Sequence, residues 1–310
     1  MPSNTGEHAK PAAVRTWHDI GAGDLLKLIR DAAVGWNADG ASSMGAAIAY
    51  YTIFSIAPLL IIIMAIAGFF FGADAVHGQI YGQAQSLLGK EGATALQGLV
   101  KSASQPASGI MATTVGLLFM LVGASGMFAE LQGAMDRIWQ TPAEKIESGW
   151  WIVIKRRLFT FGILLAISFL LMVSLAITAF ISTVQAIWTI EGAAWEPVLQ
   201  AVNFMVSLLL IAGLFGVVFK LLPRAHIAWG DVIIGSLFTA LLFNIGKLLI
   251  GLYIGKSAVV SGFGAAGSVI AVILWVYYSA QIFLLGAEFT WAYAKKFGSR
   301  QQSERPDATS

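Results

Sequence analysis

Long apolar segments separated by shorter polar ones set the pattern of this 310-residue chain. About 20 consecutive apolar residues are needed for a helix to cross the hydrocarbon core of a bilayer. Segments of this length predict six transmembrane helices, at residues 44–71, 109–131, 158–186, 198–222, 230–254 and 266–294. We therefore expect an all-α, polytopic membrane protein with a transmembrane domain over residues 44–297, a preceding segment 1–43 and a disordered tail 298–310.

Two further segments have weaker helical patterns. Apolar positions recur at helical spacing from Asp24 to Trp36, which predicts an amphipathic helix that has Asp24 as its N-cap and lies on the cytoplasmic face of the membrane. Residues 74–105 carry scattered leucines among Gln, Ser and Gly, a pattern that fits either short helices on the outer side or a solvated loop.

The distribution of positive charge predicts the orientation. Fifteen of the 19 Lys and Arg residues fall on one side of the predicted spans: four in the N-terminal segment, five in the second loop, two in the fourth and four in the C-terminal segment. The opposite side has three. Since cytoplasmic loops retain Lys and Arg, both termini are expected in the cytoplasm.

Composition narrows the function. The chain is 57% hydrophobic and 12% charged, with a mean hydropathy of +0.74, as expected of an integral membrane protein. Without cysteine it has no thiolate ligand or cysteine nucleophile, and its four histidines are too scattered to form a metal site. The net charge of +2 argues against a nucleic-acid partner. We expect no enzymatic activity, cofactor or metal.

One motif resembles a nucleotide site. The letters GFGAAG at residues 262–267 match a dinucleotide-binding fingerprint, but that fingerprint needs a preceding strand and a soluble βαβ unit. Here a membrane span lies on each side, so we interpret the motif as a glycine-rich hairpin.

Polar side chains inside the predicted spans are the candidate functional residues. Such groups are costly in lipid, so they are expected to face a bundle interior or an aqueous path. Pro58 also frees the carbonyl of Phe54, which favours a kink or hinge. The candidate cavity-lining residues are Tyr51, Ser55, Pro58, Glu130, Asn203, Asn244, Lys247, Tyr277, Gln281 and Glu288. Helix-packing seams, interfacial ion pairs or interhelical hydrogen bonds explain the same residues without a cavity.

Several separated motifs resemble one family. The stretches AAIAYYTIFSIAPLL (46–60), GASGMFAELQGAMDRIW (123–139), FKLLPRAHIAWGDVIIGS (219–236) and GAAGSVIAVILWVYYSAQIFLLGAEF (264–289) are similar to the YihY/BrkB family of bacterial inner-membrane proteins. This resemblance implies six transmembrane helices, cytoplasmic termini and a place in the inner membrane. It also implies a role in the cell envelope, with movement of lipid precursors in one branch. An older ribonuclease label is not supported, because the chain lacks clustered His and Asp ligands.

These expectations lead to two hypotheses of different class, and an intramembrane enzyme ranks behind both because the chain shows no pairing of a nucleophile with a base. The first is a transporter or lipid-translocating protein, whose partners are membrane lipids and a lipid or small-molecule substrate. The second is a membrane scaffold or envelope-assembly partner, in which the polar faces only pack helices together. The sequence leaves the substrate, energy coupling and oligomeric state open.

The predicted orientation can be tested directly. A reporter fused after Lys101 should read as periplasmic, because the segment between the first two spans lies opposite the positively charged loops. Paired phosphatase and fluorescent-protein fusions would measure this, and a cytoplasmic reading would refute the assignment.

Overall fold

A computed structural model describes residues 21–54, 126–141, 196–256 and 265–301, with a few single positions between 78 and 98. Regular structure in these ranges is entirely helical. The helices are α1 (Ala22–Ala38), α2 (residues 41–54), α3 (residues 126–138), α4 (Glu196–Leu221), α5 (Trp229–Lys256) and α6 (Ala265–Lys296). The single positions described between 78 and 98 are also helical.

Three helices of the described part are long and apolar enough to cross a membrane. Their spanning segments are Phe204–Leu221, Trp229–Tyr253 and Val269–Lys296. They confirm the helices predicted at 198–222, 230–254 and 266–294. The described parts of the first two predicted spans are helical as α2 and α3, whereas the span predicted at 158–186 lies outside the described residues.

Helix α1 is longer at both ends than its apolar pattern predicts. Its N-cap is Gly21, with no side-chain capping bond, and the Asp24 amide donates to the carbonyl of Gly21 (2.9 Å). The prediction of Asp24 as N-cap is therefore wrong, and this residue lies in the first turn. At the other end Gly40 has φ +71°, a left-handed conformation that lets the chain turn directly into α2.

One stripe of α1 packs against the described part of the protein. Leu28 and Ala32 are buried with the aromatic side chains of Phe289, Tyr293 and Phe297 at the C-terminal end of α6. Four large apolar residues of α1 are exposed, namely Leu25, Leu26, Ile29 and Val34. The helix thus packs on α6 and keeps an apolar face uncovered.

Helix α3 continues seven residues beyond the span predicted to end at 131. Polar residues end the apolar window in the sequence, but Met135, Ile138 and Trp139 are all buried in the largest core cluster. The helix goes on because its apolar residues keep their helical spacing after the window becomes amphipathic.

The loop between α4 and α5 is fixed to α3. Pro223 follows two residues after the end of α4, where it prevents continuation of the helix. The amide of Arg224 donates to Asp136 Oδ1 (2.9 Å), and its guanidinium pairs with Asp136 Oδ2 (3.5 Å). Two of the motifs that carry the family resemblance are therefore in contact.

Helices α5 and α6 are antiparallel and meet through a reciprocal pair of glycines and threonines. Thr239 Oγ1 donates to the carbonyl of Gly235 (2.6 Å), and Thr290 Oγ1 donates to the carbonyl of Gly286 (2.7 Å). Each threonine lies over the glycine of the opposite helix, so a Cβ on either glycine would overlap the facing threonine. We call these four residues the glycine–threonine seam. Absence of two Cβ atoms allows the backbones to approach closely.

Contacts on both sides extend the seam. The rings of Phe238 and Phe289 stack with centroids 3.8 Å apart. Where α5 begins, Asp231 accepts hydrogen bonds from Ser299 N (3.3 Å) and Ser299 Oγ (2.6 Å). The first residues of the predicted disordered tail, 298–301, are therefore ordered against α5.

Substitutions in the seam should destabilise the protein sharply. Gly235→Ala and Gly286→Ala each place a methyl group inside a β-branched threonine that has little rotamer freedom, so we expect losses of about 1–3 kcal/mol. Thermal unfolding in detergent would measure this. Gly251→Ala, on the same α5 but with open space around it, is the matched control. Equal stability of all three variants would contradict the close approach.

Candidate functional site

A pair of carboxyl groups lies where α1 turns into α2. Glu288, on α6, is buried with 2% of its surface exposed. Its Oε2 lies against Gly35, where a Cβ would overlap it, and half-buried Asp39 follows one helical turn after Gly35, so the two carboxyls face each other. Its Oε1 is buried and has no hydrogen-bond partner in the described part of the chain. We call Asp39 and Glu288 the carboxyl pair.

Gln281 lies two turns before Glu288, on the same face of α6. Its Nε2 donates to the carbonyl of Ala41, the first residue of α2, over a long 3.4 Å. A Cβ on Gly45 would overlap the same Nε2. The Oε1 of Gln281 is buried and unpartnered among the described residues, as is that of Glu288. The two predicted residues thus form one polar strip on α6 that faces the turn between α1 and α2.

Three other predicted residues lie in contacts within or between helices. The ring of Tyr51 packs against Gly126 of α3, where a Cβ would overlap it. Asn244 is buried and donates to the carbonyl of Ala240 in its own helix (2.9 Å). Tyr277 packs with the cluster of Ala49, Val272 and Val276.

The remaining predictions divide between half-buried positions and positions not described. Glu130 and Lys247 are half-buried on α3 and α5. Asn203 lies on α4, but its side chain is outside the described part. Ser55 and Pro58 lie beyond residue 54, also outside the described residues, so the kink at Pro58 stays a prediction.

Sequence reasoning missed Asp39. It lies in the polar sequence NADG (37–40) of the N-terminal segment, outside the predicted spans from which the candidate residues were drawn. The signal for it was its position two residues before α2. A turn this short places the end of α1 against the same helix on which α2 packs.

A second missed feature is a cluster of cations and aromatic rings beside the end of α6. Trp139 and Trp291 make an edge-to-face contact with centroids 5.3 Å apart. The guanidinium of Arg300 lies 5.5 Å and 5.1 Å from their ring centres, and Lys295 Nζ lies 5.1 Å from that of Trp291. Cation–π attraction of this kind fixes the residues after α6 onto α3.

A metal centre has no obvious ligands here. Across the ranges that the structure covers, no group of three His, Asp or Glu side chains converges. The carboxyl pair has two such side chains, one fewer than a group of three.

Long apolar helices with buried polar residues define a polytopic α-helical membrane protein. Comparison with known families identifies it further: the family described as Virulence factor BrkB matches residues 32–310. The chain belongs to this family, which confirms the YihY/BrkB resemblance. Neither that description nor the names of its relatives specify a catalytic activity.

Curated relatives are bacterial and carry the name UPF0761 membrane protein. The protein from Pseudomonas paraeruginosa is 25% identical over 257 residues, which cover 80% of this chain and 58% of the relative. That from Rhodospirillum centenum is 26% identical, covering 82% and 54%, and that from Acinetobacter baylyi is 23% identical, covering 87% and 63%. The chain thus spans less than two thirds of these relatives. No solved structure matches it.

The contact between Gly45 and Gln281 gives a test of the polar strip. Gly45→Ala should displace the flexible Gln281 amide and break its bond to Ala41, with a loss of about 1 kcal/mol in unfolding free energy. In a Gln281→Ala background the same change should cost much less, because the displaced group is absent. A double-mutant cycle by thermal or denaturant unfolding measures the coupling, and Gly23→Ala, in open space, is the control. Additive losses would contradict the contact.

Proposed function

We propose that this protein moves a lipid or another small polar molecule across the bacterial inner membrane. The supporting observation is the polar strip of Gln281 and Glu288 on α6, in which each residue has a buried oxygen without a partner in the described ranges. Polar and ionisable groups inside membrane segments are costly, and by default they suggest a substrate or ion pathway. A partly unsatisfied strip is also well suited to exchange its partners during transport.

The strip lies beside a turn that could move. Helix α1 is joined to α2 by the short turn at Asp39 and Gly40, and α1 contacts α6 through a narrow apolar stripe. Displacement of this turn would uncover the strip. With both termini in the cytoplasm, as the charge distribution predicts, the strip would open toward the cytoplasmic side.

The family description supports an envelope role without naming a substrate. A protein associated with virulence and located in the membrane suits the handling of envelope components. We propose that its partners are membrane lipids and a lipid or small-molecule substrate, and that nucleic acid is not a partner.

A scaffold role is the second candidate, and the hydroxyl groups support it. The threonines of the glycine–threonine seam, together with Ser236 and Asn244, donate to carbonyls of their own helices. Such groups pack helices without lining a pathway. A scaffold would depend on the seam and would be indifferent to Gln281.

Flux in liposomes separates the two candidates. Purified full-length protein should accelerate the movement of fluorescent phospholipids or of trapped small solutes across the bilayer. Gln281→Leu and Lys247→Leu should each slow this movement about tenfold, which corresponds to about 1.4 kcal/mol in the barrier.

The matched control is Asn37→Leu, which replaces an exposed amide on α1. It should retain the wild-type rate. Wild-type protein that moves no phospholipid and none of the solutes would overturn the transport proposal and leave the scaffold. Unchanged flux in Gln281→Leu would remove the polar strip from the pathway.

A further inference from the structure

We propose that Asp39 and Glu288 together bind one proton, and that release of this proton separates α1 from α6. The carboxyl pair would then be a proton site that controls access to the polar strip. This inference deepens the proposed function, because a proton that binds and leaves there would couple transport to a proton gradient.

The chemistry of the pair favours a bound proton. Two carboxylates are acceptors only, and neither can donate a hydrogen bond to the other. The carboxyl of Glu288 nevertheless lies against Gly35, one helical turn before Asp39, so the two carboxyls face each other. A single shared proton turns one acceptor into a donor and removes the repulsion between like charges.

No cation compensates for the pair within the described residues. On α1 the ionisable neighbours Lys27, Arg30 and Asp31 are exposed.

Cations from the end of α6 contact aromatic rings: Lys295 and Arg300 lie on Trp291, and Lys296 lies on Phe297. The other charged or titratable groups near this end are Tyr293 on α6, Asp231 on α5, and Asp136 and Arg137 on α3, of which Asp136 is paired with Arg224.

The position at a helix end adds to the electrostatic demand. Asp39 is the C-cap residue of α1, and the carbonyl end of a helix carries a partial negative charge that disfavours a nearby anion. Glu288 is buried, so its charge would also lose hydration. Two full negative charges at this place are therefore opposed by burial, by the helix end and by each other.

Proton exchange has a short route. Asp39 is half-buried, so its side chain is accessible to water while it also faces Glu288. Glu288 lies eight residues before the end of α6, a distance of about 12 Å along the helix. The pair is thus near one end of the bundle and within reach of water through Asp39.

Loss of the proton would strain the contact between Glu288 and α1, in which the Glu288 side chain has little room to move. Glu288 lies against the Gly35 backbone in the last turn of α1, so repulsion from Asp39 cannot be relieved by movement toward that helix. Because the docked state holds a proton that the separated state releases more easily, docking of α1 should weaken as pH rises.

Infrared spectroscopy of the full-length protein in lipid tests whether the proton is present. Wild type should show a carboxylic-acid C=O band that disappears as pH rises, and Glu288→Gln should lack this band. Glu130→Gln, which changes a half-buried carboxyl elsewhere, should keep it. A spectrum that is the same in wild type and Glu288→Gln would overturn the proton site.

Distance measurements test whether α1 separates. The chain has no cysteine, so Val34→Cys on α1 and Gly230→Cys on α5 introduce two unique spin-label positions, both exposed. Helix α5 reports on α6 because the glycine–threonine seam joins them. The distance between the labels should lengthen as pH rises in this background.

Two substitutions should abolish that lengthening. Glu288→Gln replaces the shared proton by an amide donor, and Asp39→Asn removes one charge of the pair. The inference would be overturned by a distance that does not change with pH in the wild-type background. It would also be overturned if both variants lengthened as much as that background does. Neither measurement needs a substrate, so its failure is distinct from a failure to detect transport.

Discussion

The close approach of α5 and α6 is the constraint on which the rest of the structure depends. Lipid chains are as apolar as leucine, so two membrane helices gain little from apolar contact and depend on tight packing. Gly235 and Gly286 give up their Cβ atoms, and each receives a threonine from the other helix. Both threonine hydroxyls are satisfied by their own helix, so the seam leaves no polar atom of these side chains unpaired.

With that seam fixed, α6 provides the surface on which the N-terminal helices are ordered. It has 32 residues and is about 48 Å long, whereas the hydrocarbon core is about 30 Å thick, so one face of α6 can hold both α1 and α2 end to end. Leu28 meets the C-terminal end, Gly35 meets Glu288, and Gly45 meets Gln281. The order of these contacts follows from the left-handed turn at Gly40.

The sequence predicted α4, α5 and α6 to within a few residues, because a long apolar window has few alternatives in a membrane. It was less successful where the pattern becomes amphipathic, as at the extension of α3 to Ile138 and at both ends of α1. It also identified Gln281 and Glu288 as unusual. Their partners could not be found, since Gly35 and Asp39 lie about 250 positions away in a polar segment and no local pattern indicates which helices meet.

The polar residues inside the bundle form two groups that differ in the length of their side chains. Thr239, Thr290 and Asn244 are short enough to bond the carbonyl four residues back, which explains their burial without a further role. Gln281 and Glu288 extend past their own backbone into the contact with α1 and α2, where each keeps one oxygen unpaired among the described residues. Shorter side chains would fill this contact at a lower cost in free energy. Packing alone is therefore an insufficient explanation for Gln281 and Glu288.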